Sequence, residues 1–198
     1  MTVYDPEKIG FRYMEEDDLP VMHRWLNEGA AFEWYGLEPT TLPEIVLSYS
    51  PRLHGKSSVL AMIITYDGRP IGYIQRYYPR DEQDYWGKQE LPRETAGIDL
   101  FIGEEEFLHH GFGPLAIRAF LGEHVFGDGR TRHCIIDPDP ANKIAIRAYE
   151  KVGFRYLRTL EPPEHVERAY LMMLDRNEFE DRGPRTETFV GATRCGPC

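Results

Sequence analysis

Residues 96–103, 111–126 and 132–137 read in order as a strand, a helix and a strand. The first is the apolar run Ala-Gly-Ile-Asp-Leu-Phe-Ile-Gly. The second carries apolar residues at helical spacing behind two glycines, and the third is the short β-rich run Arg-His-Cys-Ile-Ile-Asp. A strand–helix–strand unit constrains the fold more than any other pattern here. If its two strands share a sheet they lie parallel, because the helix must carry the chain back to the starting end. The flanking segments read differently. Residues 57–66 and 69–78 are β-rich runs joined by Asp67-Gly68, a strong hairpin signal, and residues 154–160 and 166–175 form a second antiparallel pair.

Three further helices complete the pattern. Residues 15–28 place Leu19, Met22, Trp25 and Leu26 on one stripe, with Asp17 or Asp18 as the cap and Gly29 as the stop; residues 42–54 and 141–152 are the others. Residues 9–14 alternate as a strand, residues 32–36 form an aromatic loop, and residues 79–95 form a long polar loop. The order β-α-α-β-β-β-α-β-α-β-β predicts an α/β fold. Its mixed, mostly antiparallel sheet has helices on both faces and a central βαβ unit.

A chain of 198 residues suits one domain, expected over residues 1–178, with a flexible tail over 179–198. With 41% hydrophobic and 13% aromatic residues, most of the chain has enough apolar surface to form a core. The formal charge of −10 argues against nucleic acid as a partner and favours cationic ligands. No apolar run is long enough to cross a bilayer, and the first residues lack the features of a signal peptide, so a cytoplasmic location without membrane partners is expected. Cys134 lies in an apolar run and is expected to be buried and inert. Cys195 and Cys198 form a terminal Cys-Gly-Pro-Cys with no following helix to activate a thiol, so they read as tail.

Two stretches carry chemistry. Between the strand ending at Gly103 and the next helix lies Leu108-His109-His110-Gly111-Phe112-Gly113. Glycines ahead of a helix let the backbone approach a phosphate, and the free N–H groups of the helix start point at it. His109 and His110 lack partners at zinc spacing, so no metal is expected. In the helix that begins about thirty residues later, Asn142, Ala145 and Tyr149 fall at i, i+3 and i+7 on one face. A phenol at a helix end can donate a proton, and an amide can clamp a ligand amide. Asp99 interrupts an apolar strand, where a carboxylate is costly unless paired, and Asp137 ends the next strand. If those strands are neighbours, both acids open at one splayed end of the sheet and serve a cationic amine.

Gly111-x-Gly113 followed by Asn142-x-x-Ala145-x-x-x-Tyr149 and Gly153-Phe154 resembles the acetyl-CoA-binding core of the GNAT acetyltransferases. The resemblance implies a GNAT fold with acetyl-CoA as co-substrate. It implies a cradle for the pyrophosphate at Leu108, His109, His110, Gly111 and Gly113, and backbone contacts to the thioester at Leu100 and Ile102. Asn142, Ala145 and Lys151 would meet the rest of the cofactor, and Tyr149 would protonate the sulfur. Two positions depart from the family pattern. Leu108 replaces a Gln or Arg, and Pro114 follows the second glycine without an N–H to donate.

Much of the chain, about residues 9 to 175, is similar to the aminoglycoside 6'-N-acetyltransferases. The similarity lies in Arg24-Trp-Leu-Asn27, Glu33-Trp-Tyr-Gly36, Pro70-Ile-Gly-Tyr-Ile-Gln75, Asp84-Tyr-Trp-Gly87, Gly97-Ile-Asp99 and Asp137-Pro-x-Pro-x-Asn142. It implies a polycationic aminoglycoside as substrate, held by Trp34, Tyr35, Asp84, Trp86 and Glu90 and by Asp99 and Asp137, which also assist deprotonation. Resistance to the antibiotic follows from its acetylation. Two alternatives stay open: the 2' amine of kasugamycin, and the hydroxylysine nitrogen of a siderophore precursor. A domain that binds without turnover is disfavoured by Tyr149 and the two acids. Both a monomer and a homodimer are compatible with the sequence.

Overall fold

The computed structural model describes residues 4–35, 38–54, 56–162 and 168–182. Among these, one sheet is ordered β1-β2-β3-β4-β5-β7-β6. Its strands are β1 (Ile9–Tyr13), β2 (Leu60–Tyr66), β3 (Arg69–Tyr77), β4 (Thr95–Ile102), β5 (His133–Ile136), β6 (Arg155–Leu160) and β7 (Ala169–Asp175). Only β4 and β5 pair in parallel, and every other pairing is antiparallel. The β2–β3 hairpin turns at Asp67 (φ 53°) and Gly68 (φ 79°), the two left-handed residues that a tight turn of matching twist requires.

The helices are α1 (Leu19–Asn27), α2 (Gly29–Tyr35), α3 (Leu42–Tyr49), α4 (Gln83–Trp86), α5 (Phe112–Phe120), α6 (Lys143–Val152) and α7 (Arg176–Asp181). They divide between the two faces of the sheet. On one face α5 and α6 bury Phe112, Ile117, Phe120 and Val152 against Ile64, Ile74, Ile98 and Cys134. On the other, α1 and α3 bury Met22, Trp25 and Ile45 against Ile63, Tyr73 and Phe101. Covered on both sides, β4 is an almost continuous apolar run in which Asp99 is the exception. At its end Gly103 lets the Trp25 ring lie where any Cβ would stand. Glu104 then accepts a hydrogen bond from Trp25 Nε1 at 2.9 Å and ion pairs with Arg24 and Arg69, fixing α1 to the exit of β4.

Several elements differ from the sequence reading. Residues 32–35 are not an aromatic loop but the second half of α2; Gly29 (φ 63°) breaks the chain from α1, and Ala30 and Ala31 favour helix at once. The helix expected over 42–54 ends at Tyr49 and continues only as the 3-10 turn Ser50–Arg52, because Pro51 cannot extend it. The loop at 79–95 contains the turn Pro79–Asp81 and the single-turn helix α4. The helix expected over 111–126 is α5 followed by a π-helical turn, Leu121–Val125. After β7 comes α7, whose Phe179 packs on Phe126 with ring centroids 5.2 Å apart. The start of the strand expected at 166, and Cys195 and Cys198 of the expected tail, lie outside the described residues.

Candidate active site

Parallel pairing of β4 with β5 lasts for three positions, Thr95↔His133, Ala96↔Cys134 and Gly97↔Ile135. Beyond them the strands part. Asp99 stands two residues past the last pair on β4, and Asp137 two residues past it on β5, so both acids flank the gap. Both are half-buried. The gap leads into a cleft of about 790 Å³. At the parting point only glycine fits at position 97, since the Tyr77 ring fills the space that a side chain there would need.

The splay also frees backbone groups. Gly103 N–H bonds to Ile71 O across β3, so the odd-numbered amides of β4 face β3 and the even-numbered ones face β5. At Leu100 and Ile102, past the last β4–β5 pair, those amides look into the cleft. The Leu100 carbonyl accepts a hydrogen bond from Tyr35 Oη at 2.9 Å, which ties α2 to the same edge.

Asp99 is held by a chain of side chains. Gln75 lies directly opposite it on β3, and Gln75 Nε2 donates to Asp99 Oδ2 at 2.6 Å. Gln75 Oε1 in turn accepts from Tyr73 Oη at 2.8 Å and Arg52 Nη1 at 3.1 Å. The Arg52 guanidinium lies over the Tyr49 ring at 5.0 Å. Burial raises the Asp99 pKa above the usual carboxylate range; the Gln75 hydrogen bond and the Arg52 charge oppose that rise, and Glu82 adds to it. Asp137 accepts from Tyr85 Oη at 3.0 Å.

Tyr149 is buried on the inner face of α6 and borders the same cleft. Among the described residues its hydroxyl has no hydrogen-bond partner. Burial, then the charges of Asp99 and Asp137, push its pKa well above 10, so the phenol stays protonated at neutral pH. Ala145 and Ala148 lie on the cleft side of this helix, where small side chains leave room. Asn142 caps α6 by accepting from Ala145 N–H at 3.0 Å, which commits its carbonyl oxygen and leaves its amide N–H₂ as the available donor.

At the other end of the cleft, Leu108, His109 and Gly113 line the start of α5. Gly111 (φ 84°) and His109 (φ 61°) adopt left-handed backbone conformations. A Cβ added at Gly111 or Gly113 would meet nothing within 4 Å, so a ligand could reach the backbone there. The first N–H groups of α5 have no acceptor within the helix, which suits an anion. The residues present therefore fit a phosphate-bearing co-substrate through backbone groups. Pro114 has no N–H, so the donors at the start of α5 are those of Gly111, Phe112 and Gly113.

The residues singled out from sequence do not all meet. Trp34, Tyr35 and Trp86 line the cleft with Asp99, Leu100, Ile102, Leu108, His109, Gly113, Asp137, Asn142, Ala145 and Tyr149. Asp84 and Glu90 are exposed and do not line it; the single turn of α4 brings Tyr85 and Trp86 to the cleft instead. His110, Gly111 and Lys151 are exposed and do not line it either; Lys151 is two residues past Tyr149 and so falls on another side of α6. Sequence reasoning missed Arg52; Tyr73, Gln75 and Tyr85 enter it only as members of motifs, and Glu82 only as one charge of an acidic loop. The cleft holds five carboxylates, Glu33, Glu82, Asp99, Asp137 and Asp139, against two guanidiniums, Arg52 and Arg168, so it favours cations. Among the described residues no cluster of three metal-ligating side chains occurs, and no helix is long and apolar enough to cross a membrane.

The family model of the acetyltransferase (GNAT) domain matches residues 14–161. The chain belongs to the GNAT acetyltransferases. Its relatives include the aminoglycoside N(6')-acetyltransferase type 1 of Serratia marcescens, 34% identical over 186 residues, which are 93% of this chain and 89% of that protein. The solved structure of aminoglycoside acetyltransferase AAC(6')-Ib in complex with coenzyme A and kanamycin is similar with a TM-score of 0.78. It is 34% identical and covers 87% of this chain and 98% of its own. A more distant relative is the N(6)-hydroxylysine O-acetyltransferase of Escherichia coli, 22% identical over 182 residues, which are 89% of this chain but 56% of that protein. The mixed seven-strand sheet is thus that of a GNAT domain.

Proposed function

We propose that this GNAT enzyme transfers the acetyl group of acetyl-CoA to the 6' amine of an aminoglycoside antibiotic and so confers resistance. The observation that carries the proposal is the pairing of Asp99 and Asp137 on the two lips of the splay, beside Tyr149, in a cleft rich in carboxylates and walled by aromatic rings. A polyamine is attracted to that charge, and its sugar faces can stack on Trp34, Tyr35 and Trp86. The relatives named as aminoglycoside N(6')-acetyltransferases support the same substrate class.

Acetyl-CoA, when bound, supplies the activated thioester carbonyl. The start of α5 and the backbone of Gly111 and Gly113 would hold its phosphates. Asp99 and Asp137 would hold the substrate ammonium and draw off its proton, since only the neutral amine has a lone pair for attack. The N–H groups of Leu100 and Ile102 would stabilise the negative charge that develops on the carbonyl oxygen. Tyr149 would donate a proton to the departing sulfur. Its phenol is a weak acid while both carboxylates are bare, and a bound polycation would offset their charge and make the phenol a better donor.

A thiol-release assay with acetyl-CoA tests the reading. CoA release with kanamycin is expected. An absence of CoA release with every aminoglycoside tested would refute it; release with kasugamycin alone would favour the 2' amine, and release with hydroxylysine alone would favour the siderophore branch.

A further inference from the structure

Gln75 makes a connection that the reaction as described does not use. A carboxamide can be turned over, but this one has a single arrangement that satisfies its neighbours. With Oε1 toward Arg52 and Tyr73, it accepts from both and its N–H₂ points at Asp99. Turned the other way, Nε2 would face the guanidinium, donor against donor, and Oε1 would face the carboxylate. The side chain is buried, and its strand register places it directly across from Asp99, so it has little freedom to rotate. Asp99 Oδ2 is occupied by this contact, whereas Asp99 Oδ1 has no hydrogen bond among the described residues.

We propose that Gln75, locked by Arg52 and Tyr73, is the positioning residue for Asp99: it holds one carboxylate oxygen and leaves the other for the substrate amine. The proposal rests on the acetyltransferase reading above and deepens it. Arg52 has two effects here. It fixes the carboxamide by a hydrogen bond, and it brings positive charge near Asp99 without touching it. Because Arg52 stacks on Tyr49 and bonds to Gln75, it does not take the place of the substrate ammonium at the acid.

The consequence is a pH dependence with a definite sign. The charged groups around Asp99 are Arg52 from the turn after α3, Glu82 ahead of α4 and Asp137 beyond β5. The neutral ones are Tyr35 on α2, Tyr49 on α3, Tyr73 and Tyr77 on β3, Cys134 on β5 and Tyr149 on α6. A donor to a carboxylate favours the ionised form, so the Gln75 contact lowers the Asp99 pKa against the upward effect of burial. Losing that donor raises the pKa. Turnover that needs ionised Asp99 then fails at a higher pH on the acid side.

The test is the pH profile of kcat/KM for kanamycin acetylation in the wild type, Gln75→Leu, Gln75→Glu and Arg52→Gln. A hydrogen bond to a charged group is worth enough to move the acid limb of Gln75→Leu upward by about one pH unit. Gln75→Glu, which sets a second carboxylate against Asp99, should move it further. Arg52→Gln should move it in the same direction by less. If Gln75→Leu does not fold, Gln75→Glu and Arg52→Gln carry the test alone. Acid limbs that coincide with the wild type would overturn the positioning role even where kcat falls. A wild type that releases no CoA with kanamycin would instead overturn the functional reading on which the role depends.

Discussion

The two ends of the cleft are built from different materials. At the acid end, side chains do the holding: Arg52, Tyr73, Gln75 and Asp99 form a hydrogen-bonded chain across β3 and β4, and Tyr85 reaches Asp137. At the cofactor end, the backbone does it: Gly111 and Gly113 leave open space over the start of α5, and His109 is turned into a left-handed conformation. The difference teaches which substitutions matter. A change of side chain at the cofactor end, such as Leu108, leaves the amides in place. A change at the acid end removes a partner from a buried polar group, which is costly.

Asp99→Asn should show the contrast most strongly. It keeps shape and removes the charge proposed to hold and deprotonate the amine, so kcat/KM for kanamycin should fall by about 10² to 10⁴. Unchanged steady-state kinetics would remove Asp99 from the mechanism. Tyr149→Phe joins the two ends, since the phenol is proposed to serve the sulfur. It should lower kcat by about a hundredfold while the Kd for acetyl-CoA, read by calorimetry, stays nearly constant. An equal loss of cofactor binding would make the phenol a structural group. Gly113→Val places carbon where the cradle is open, without the strain of a left-handed site. It should raise the KM for acetyl-CoA by about tenfold, equivalent to about 1.4 kcal/mol, with the KM for kanamycin little changed. The smallest effect is expected from Leu108→Arg. A new charge on a partly exposed loop should improve acetyl-CoA affinity by less than about 1 kcal/mol; a larger gain would mean that side chains matter at this end too.

What could be read from the sequence follows the same division. Local signals were legible. Asp67-Gly68 announces its turn by composition, Asn142 and Gly153 bound α6, and the Gly111-x-Gly113 spacing before a helix marks the cradle. The placement of Asp99 and Asp137 at one splayed end was legible only as a condition, that their strands be neighbours, which the β4–β5 register meets. What was not legible depends on pairings that no local pattern encodes. Gln75 becomes a partner of Asp99 only through a register 24 residues apart, and Arg52 reaches it only because Pro51 stops α3 early. The resemblance implies substrate contacts at Asp84 and Glu90. One turn of helix instead brings Tyr85 and Trp86 inward. The aromatic residues at 32–35 suggest a loop by composition, whereas the helix-favouring Ala30 and Ala31 just before them lie in the first turn of α2.

The central claim is that the acid end presents a drug amine to the thioester. The most direct measurement is the nuclear magnetic resonance spectrum of the product formed from kanamycin and acetyl-CoA. The account predicts one acetyl group, on the 6' nitrogen. No acetylated product, or an acetyl group on any other nitrogen, would contradict it.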